Sequence, residues 1–152
     1  MAPLVNLSDL SAGSSALWGL FSSAFISSTL APGASEVVLA YLISAANHPA
    51  ITLILIATIG NTLGATTTWY LGSLASRRWP SDSPNDPKRH RAVMMLRKYG
   101  YPVLFFSWLP VVGDGFCFAA GWLNLSFAVS TLAIAVGKLA RYCAVAWLTL
   151  QI

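Results

Sequence analysis

Apolar residues dominate four long stretches of the chain, and two of these are interrupted near their middle. The first runs from Leu17 to Ala46 and is broken by Ser27-Ser28-Thr29 and then Ala31-Pro32-Gly33, with Glu36 just beyond. Pro32 removes a backbone N–H and blocks helix continuation, while Gly33 permits the unusual φ/ψ that a sharp turn needs. Each half has about 13 residues, or about 20 Å of helix, against a hydrocarbon core of roughly 30 Å. The economical reading is a re-entrant helical hairpin that enters and leaves on one side.

The second stretch, Pro49 to Leu74, is continuous and long enough to span a bilayer with some tilt. Its Gly60 and Gly64 fall on one helical face, where another helix can approach closely; a homodimer through that face is one expectation. The third stretch, Val103 to Asn124, is interrupted by Pro110, Gly113, Asp114 and Gly115. It reads as a second re-entrant hairpin turned by Pro110 and Gly113, with a kinked full crossing as the alternative. The fourth, Leu125 to Ile152, is long enough to span yet carries Lys138 and Arg141 near its centre, one helical turn apart. Between the halves, Ser76 to Asp86 is a polar loop. Pro87 to Tyr99 alternates basic residues with Val93, Met94, Met95 and Leu96, which suits a short amphipathic helix on a membrane surface; Gly100 and Pro102 end it.

The predicted fold is therefore an all-α membrane protein. Two re-entrant helical hairpins and two transmembrane helices form an inverted repeat, joined by a short amphipathic surface helix. The whole chain, 1–152, is one domain: an N-terminal tail (1–16), a first half (17–74), a basic loop and helix (75–99) and a second half (100–152).

Composition agrees. Of 152 residues 56% are hydrophobic and only 9% charged, where soluble domains carry roughly a quarter charged residues. The net charge of +4 does not point to nucleic acid, because Arg77, Arg78, Lys88, Arg89, Arg91, Arg97 and Lys98 all fall in the central stretch. Under the positive-inside rule this loop is cytoplasmic, touching anionic head groups. Met1 to Ala16 contains Asp9 and no Lys or Arg, so it lacks the basic start of a signal peptide and is expected to be retained. Cys117 and Cys143 read as small buried hydrophobes, and the six tryptophans as interface or packing residues. His48 reads as interfacial and His90 as solvated, and neither has the companions a metal site needs. No P-loop, Gly-x-Ser-x-Gly or other catalytic motif is present; no enzymatic activity, cofactor or metal is expected.

Four charges remain inside the apolar stretches: Glu36, Asp114, Lys138 and Arg141. Each costs roughly 2.5–3.5 kcal/mol at a helix centre on insertion scales, so something must offset them. One reading is mutual pairing that holds the hairpins against the last helix. The other is a ligand site in which Arg141 forks onto phosphate oxygens, Lys138 acts as a point charge, and Glu36 and Asp114 accept protons.

The stretches Leu30-Ala31-Pro32-Gly33-Ala34-Ser35-Glu36-Val37-Val38-Leu39, Gly60-Asn61-Thr62-Leu63-Gly64 and Ser107-Trp108-Leu109-Pro110-Val111-Val112-Gly113-Asp114 resemble the DedA superfamily. Together with Gly121-Trp122 and Gly137-Lys138-Leu139-Ala140-Arg141-Tyr142, they resemble its YqaA-like branch over nearly the whole chain. The resemblance implies a VTT (SNARE-associated) fold with two membrane-penetrating hairpins in the bacterial inner membrane. It also implies movement of lipids across the bilayer, a link to undecaprenyl phosphate recycling, and proton-dependent physiology; Glu36 matches the acidic residue of the first hairpin. The chain departs from better-known members at Ser107 and Gly113, where those carry arginines, and at Ala65, where an acidic residue is expected. Lys138 and Arg141 can replace the missing positive charge. The expectation is a small transporter or flippase for an anionic lipid head group, polyprenyl phosphate or phospholipid, coupled to protons. The rivals are a non-transporting scaffold with structural ion pairs and a proton-linked exporter of cationic solutes.

Overall fold

A computed structural model describes residues 7–28, 33–78, 87–109 and 112–151, and side chains for 13–28, 33–78, 91, 93–107, 109 and 112–151. All the regular structure in these residues is helical. In chain order it comprises α1 (Leu7–Ser27), α2 (Ala34–Ser44), α3 (Ala50–Arg78), α4 (Pro87–Tyr99), a 3-10 helix (Tyr101–Trp108), α5 (Val112–Trp122) and α6 (Phe127–Gln151). Pro32 and Pro110 lie outside the described residues. The flanking structure is nevertheless broken at both places: α1 stops at Ser27 with α2 starting at Ala34, and the 3-10 helix stops at Trp108 with α5 starting at Val112.

Among the described residues, only α3 and α6 are long and apolar enough to cross a membrane. Their surfaces carry the same message. Ile51, Leu55, Ile59 and Leu63 are exposed at four-residue spacing on α3, whereas Gly60, Asn61 and Gly64 are buried. Aliphatic side chains outside with small and polar ones inside suit a lipid solvent; a soluble protein rarely leaves such a stripe uncovered.

Glycines set how the elements pack. A Cβ added at Gly60 would come within 2.7 Å of the Phe21 carbonyl, and one at Gly64 within 2.6 Å of the Phe25 carbonyl. Residue numbers rise together along this contact, so α1 runs beside α3 in the same direction and its end, Ser28, reaches the middle of α3. Gly13 lies against His48 at the other end, and α2 returns to that level. The Gly60 to Gly64 face is therefore occupied by α1 of the same chain. Two carbonyl-to-glycine contacts thus pack this face within the chain.

The second half uses the same device with different parts. A Cβ at Gly137 would lie 2.6 Å from the Phe105 carbonyl, and Tyr101 Oη accepts from the Ser126 amide at 3.1 Å. The 3-10 helix thus follows α6 from its start to its middle. α5 runs back and packs along α3, where Gly72 meets the Phe118 carbonyl and Gly121 the Trp69 carbonyl. Two apolar clusters result. One holds Leu20, Leu39, Leu53 and Tyr142, the other Ala65, Leu104, Phe116 and Ile134.

Several boundaries differ from expectation. α1 begins at Leu7 rather than Leu17, because Ser, Ala and Gly lower hydropathy without preventing a helix; its 21 residues extend well past the 13 expected. α3 continues through Arg78, with Arg77 and Arg78 in its last turn, where cations suit the negative end of the helix dipole; the basic loop starts later than 75. The first arm of the second half is 3-10 rather than α. With Pro102 at its start, its eight residues at about 2.0 Å rise cover about 16 Å, so a short arm reaches mid-level. On α4, Leu96 is buried while Met94 and Met95 are exposed. Cys117 is buried but Cys143 is exposed, on the outward face of α6.

Gly64→Val should separate α1 from α3 and lower stability by about 1–3 kcal/mol, as overpacking does. Gly19→Ala, with nothing within 4 Å, should leave the thermal unfolding midpoint in detergent unchanged or raised.

Candidate functional site

Where the end of α1 and the starts of α2 and α5 meet the middles of α3 and α6, a group of buried polar side chains comes together. Gly33 has φ 102°, a conformation that glycine adopts without a Cβ clash, and it redirects the chain into α2. This places Ser35 and Glu36 in the first turn of α2, beside α6. Gly113 has a different role from the one expected. It sits within α5 without a positive φ, and its value is closeness, since a Cβ there would lie 2.1 Å from the Ser107 carbonyl. It brings Asp114 to the same level.

The four expected residues do converge, with unequal partners. Glu36 and Arg141 form an ion pair, each about four-fifths buried at 22% and 18% side-chain exposure. Lys138 is 4% exposed and gives its ammonium protons to the Ser28 hydroxyl at 3.2 Å and to Asn61 Oδ1. Asp114 is hydrogen-bonded to Ser28 and lies within electrostatic reach of both Lys138 and Arg141. Thus Lys138 is held by neutral oxygens, with the carboxylate one hydroxyl away.

Asn61 links Lys138 to a second rail. Because its Oδ1 accepts from Lys138, its amide nitrogen donates, and it does so to Tyr142 Oη. The Tyr142 proton is then directed to Ser35 Oγ at 2.9 Å, and Ser35 donates to Ser27 Oγ at 3.3 Å. One continuous path therefore runs Asp114–Ser28–Lys138–Asn61–Tyr142–Ser35–Ser27 across both helix breaks, α3 and α6.

Sequence reasoning about charges alone misses Ser28, Ser35, Asn61 and Tyr142 as members of this cluster. The usable signals were an asparagine at the centre of an apolar spanning segment and a tyrosine four residues after Lys138, on the same helical face. Ser107, where related chains are expected to carry arginine, is buried with no partner for its hydroxyl among the described residues. Among the described residues no cluster of His, Cys, Asp and Glu could hold a metal ion.

The two halves place their key residues in register. Glu36 is the third residue of α2 and Asp114 the third of α5, and both helices are 11 residues long. Asn61 is the twelfth residue of α3 counted from Ala50, and Lys138 the twelfth of α6 counted from Phe127. Each is preceded by the glycine, Gly60 or Gly137, that meets the neighbouring arm's carbonyl.

Residues 31–150 match the VTT domain, a stretch that contains every member of the polar path except Ser27 and Ser28. The chain belongs to this family, the DedA family. It is 42% identical over 140 residues to the inner membrane protein YqaA of Escherichia coli, covering 89% of this chain and 92% of that protein, and equally to YqaA of Shigella flexneri. It is 46% identical over 140 residues to a protein of Haemophilus influenzae, covering 86% of this chain and 85% of that one. No solved structure matches it.

Breaking the Glu36–Arg141 pair from one side strands a charge. Glu36→Gln and Arg141→Gln should each destabilise the protein more than the double substitution does, with a coupling of about 1–2 kcal/mol measured by unfolding in detergent. Asn61→Leu removes the acceptor for Lys138 and the donor to Tyr142 together. A loss of about 1–3 kcal/mol is expected.

Proposed function

We propose that this protein moves a phosphate-bearing, anionic lipid across the bacterial inner membrane, with Arg141 receiving the head-group phosphate and Glu36 taking a proton as Arg141 leaves it. The observation that carries this reading is a partly exposed Glu36–Arg141 ion pair that joins the first turn of α2 to the middle of the membrane-length α6. Intramembrane charges are costly and are usually kept for function, and the arginine fork suits phosphate oxygens.

The arrangement of arms supports two re-entrant hairpins in an inverted repeat. Each pair of arms reaches the middle of the long helix that follows it and turns back, and the two sets carry equivalent residues at equivalent positions. Hairpins dipping from opposite faces give a head group a way to the centre from either leaflet, the general plan of inverted-repeat carriers. With Lys88, Arg89 and Arg91 of α4 on the cytoplasmic side, the first hairpin dips from outside. The name of the Escherichia coli relative, an inner membrane protein, supports the location.

A scaffold reading draws on the same ion pair, since pairing alone neutralises both charges. The two are separated by transport itself. Purified protein in proteoliposomes should accelerate transbilayer movement of fluorescent anionic lipid, read by head-group accessibility to an added quencher. Under an imposed proton gradient the wild type should move lipid faster in one direction, and Glu36→Gln should lose that directional response. Folded protein that moves none of these lipids is a scaffold. Unchanged coupling in Glu36→Gln removes Glu36 from the proton path.

A further inference from the structure

At the basic end of the molecule one helix face is exposed. α3 ends on the exposed Arg77 and Arg78, and Ser73 and Ser76 in its last two turns are bonded through Asn124 to the turn before α6, at 3.1 and 3.2 Å. Tyr101, the first residue of the 3-10 helix, accepts from the Ser126 amide at 3.1 Å. The end of α3, the start of α6 and the junction between α4 and the 3-10 helix therefore lie at one level, where hydrocarbon gives way to head groups. The inner face of α4 holds it there: Leu96 is 2% exposed and, with Val93, packs in the cluster of Phe116 and Ile134. Its outer face presents Arg91, Met94, Met95 and Lys98, spaced i, i+3, i+4 and i+7 and all exposed. Two methionines thus sit between two cations on a single stripe. Tyr99, exposed with the Lys98 ammonium 5.2 Å from its ring centroid, adds an interfacial aromatic.

We infer that this stripe docks α4 onto the anionic head groups of the protein's own leaflet, the methionines entering between lipids and Arg91 and Lys98 meeting phosphates, and that docking steadies the second-half arm that follows. The lipids here are a surface rather than a cargo, so the inference goes beyond the transport reading and does not depend on it. Charge selects the occupant. Between Arg77 and Lys98 the chain has seven cations and only Asp82 and Asp86 as acids, and basic residues beside an anionic leaflet are drawn to it. The methionines select a membrane over nucleic acid: a phosphate backbone gives two exposed apolar side chains no place, whereas flexible methionines fit the uneven boundary of head groups and acyl chains. Gly100 passes the restraint on. It has φ 68°, a conformation suited to glycine, and its amide donates to the Leu96 carbonyl at 2.8 Å. The 3-10 helix follows without a linker, and its Phe105 carbonyl lies 2.6 Å from where a Cβ on Gly137 would be, one residue before Lys138. Fixing α4 on the surface therefore fixes the arm that packs against the middle of α6.

The test uses purified full-length protein in nanodiscs of phosphatidylcholine alone or of equal parts phosphatidylcholine and phosphatidylglycerol. A nitroxide on Met94→Cys, in a Cys143→Ser background that leaves only the buried Cys117, reports collisions with a neutral, water-soluble nickel chelate. Anionic discs should lower that collision rate on the order of fivefold against neutral ones. Molar salt, which shortens the Debye length to about 3 Å, should remove the difference, and so should Arg91→Gln combined with Lys98→Gln. In unlabelled protein, amide exchange in the 3-10 helix should be several-fold slower in anionic discs, and alike in both discs for the double variant. Equal collision rates in the two membranes overturn the docking, whether both are high, as for a face that takes some other partner, or both low, as for a face covered regardless of charge. Docking with unchanged exchange in the 3-10 helix overturns the restraint on the arm. If the labelled protein fails to fold, exchange in wild-type α4 and the 3-10 helix, compared between the two discs, decides. Neither measurement involves lipid movement, so failure here leaves the transport reading standing.

Discussion

Lys138 carries its ammonium at the centre of a protein whose outer surface is built for hydrocarbon, and such a charge is tolerated only where its donors find acceptors. Those acceptors come from far away in the chain, Ser28 at the end of α1 and Asn61 in the middle of α3. Satisfying one side chain therefore fixes three segments relative to one another. The break after α1 must reach the middle of α3, α3 must turn Asn61 inward, and α6 must lie against both. Gly60, Gly64 and Gly137 make these approaches sterically feasible by letting a carbonyl sit where a methyl group would otherwise be.

The polar layer also explains why there are two apolar clusters rather than one core. Leu20, Leu39 and Leu53 pack on one side of it, Leu104, Phe116 and Ile134 on the other. Hydrocarbon does not drive helices together as water does, so close backbone contact and interhelical hydrogen bonds carry more of the association. Most of the interior of α3 is accordingly small or polar: Ala57, Thr58, Gly60, Asn61, Thr62, Gly64 and Ala65 are all buried.

Much of this was legible in the sequence. The breaks between Ser27 and Ala34 and between Trp108 and Val112, the two continuous spans and the helix from Pro87 to Tyr99 all follow from hydropathy and from backbone chemistry, which act locally. Convergence of Glu36, Asp114, Lys138 and Arg141 was legible because charge in lipid demands a partner. Which partner was not. Pairing acids with bases by charge predicts Lys138 on a carboxylate, whereas geometry gives it Asn61 and Ser28, and neutral side chains leave no mark in a charge count. The role of Gly113 and the occupant of the Gly60 to Gly64 face were hidden for a related reason: a glycine shows that something approaches closely but does not show what. The start of α1 at Leu7 was missed because hydropathy finds membrane-embedded length, and small residues extend a helix beyond it.

The spacing of the polar path along the chain sets an order on biogenesis. Ser28 and Asn61 are made 110 and 77 residues before the lysine that binds them. At about 5–20 residues per second, the first half waits several seconds in or near the membrane with its central hydroxyls and amide lacking their final partner. Only when α6 arrives can Lys138 and Tyr142 close the path, so this helix acts as the keystone of insertion, and a chain cut short before it would carry an open polar seam into lipid.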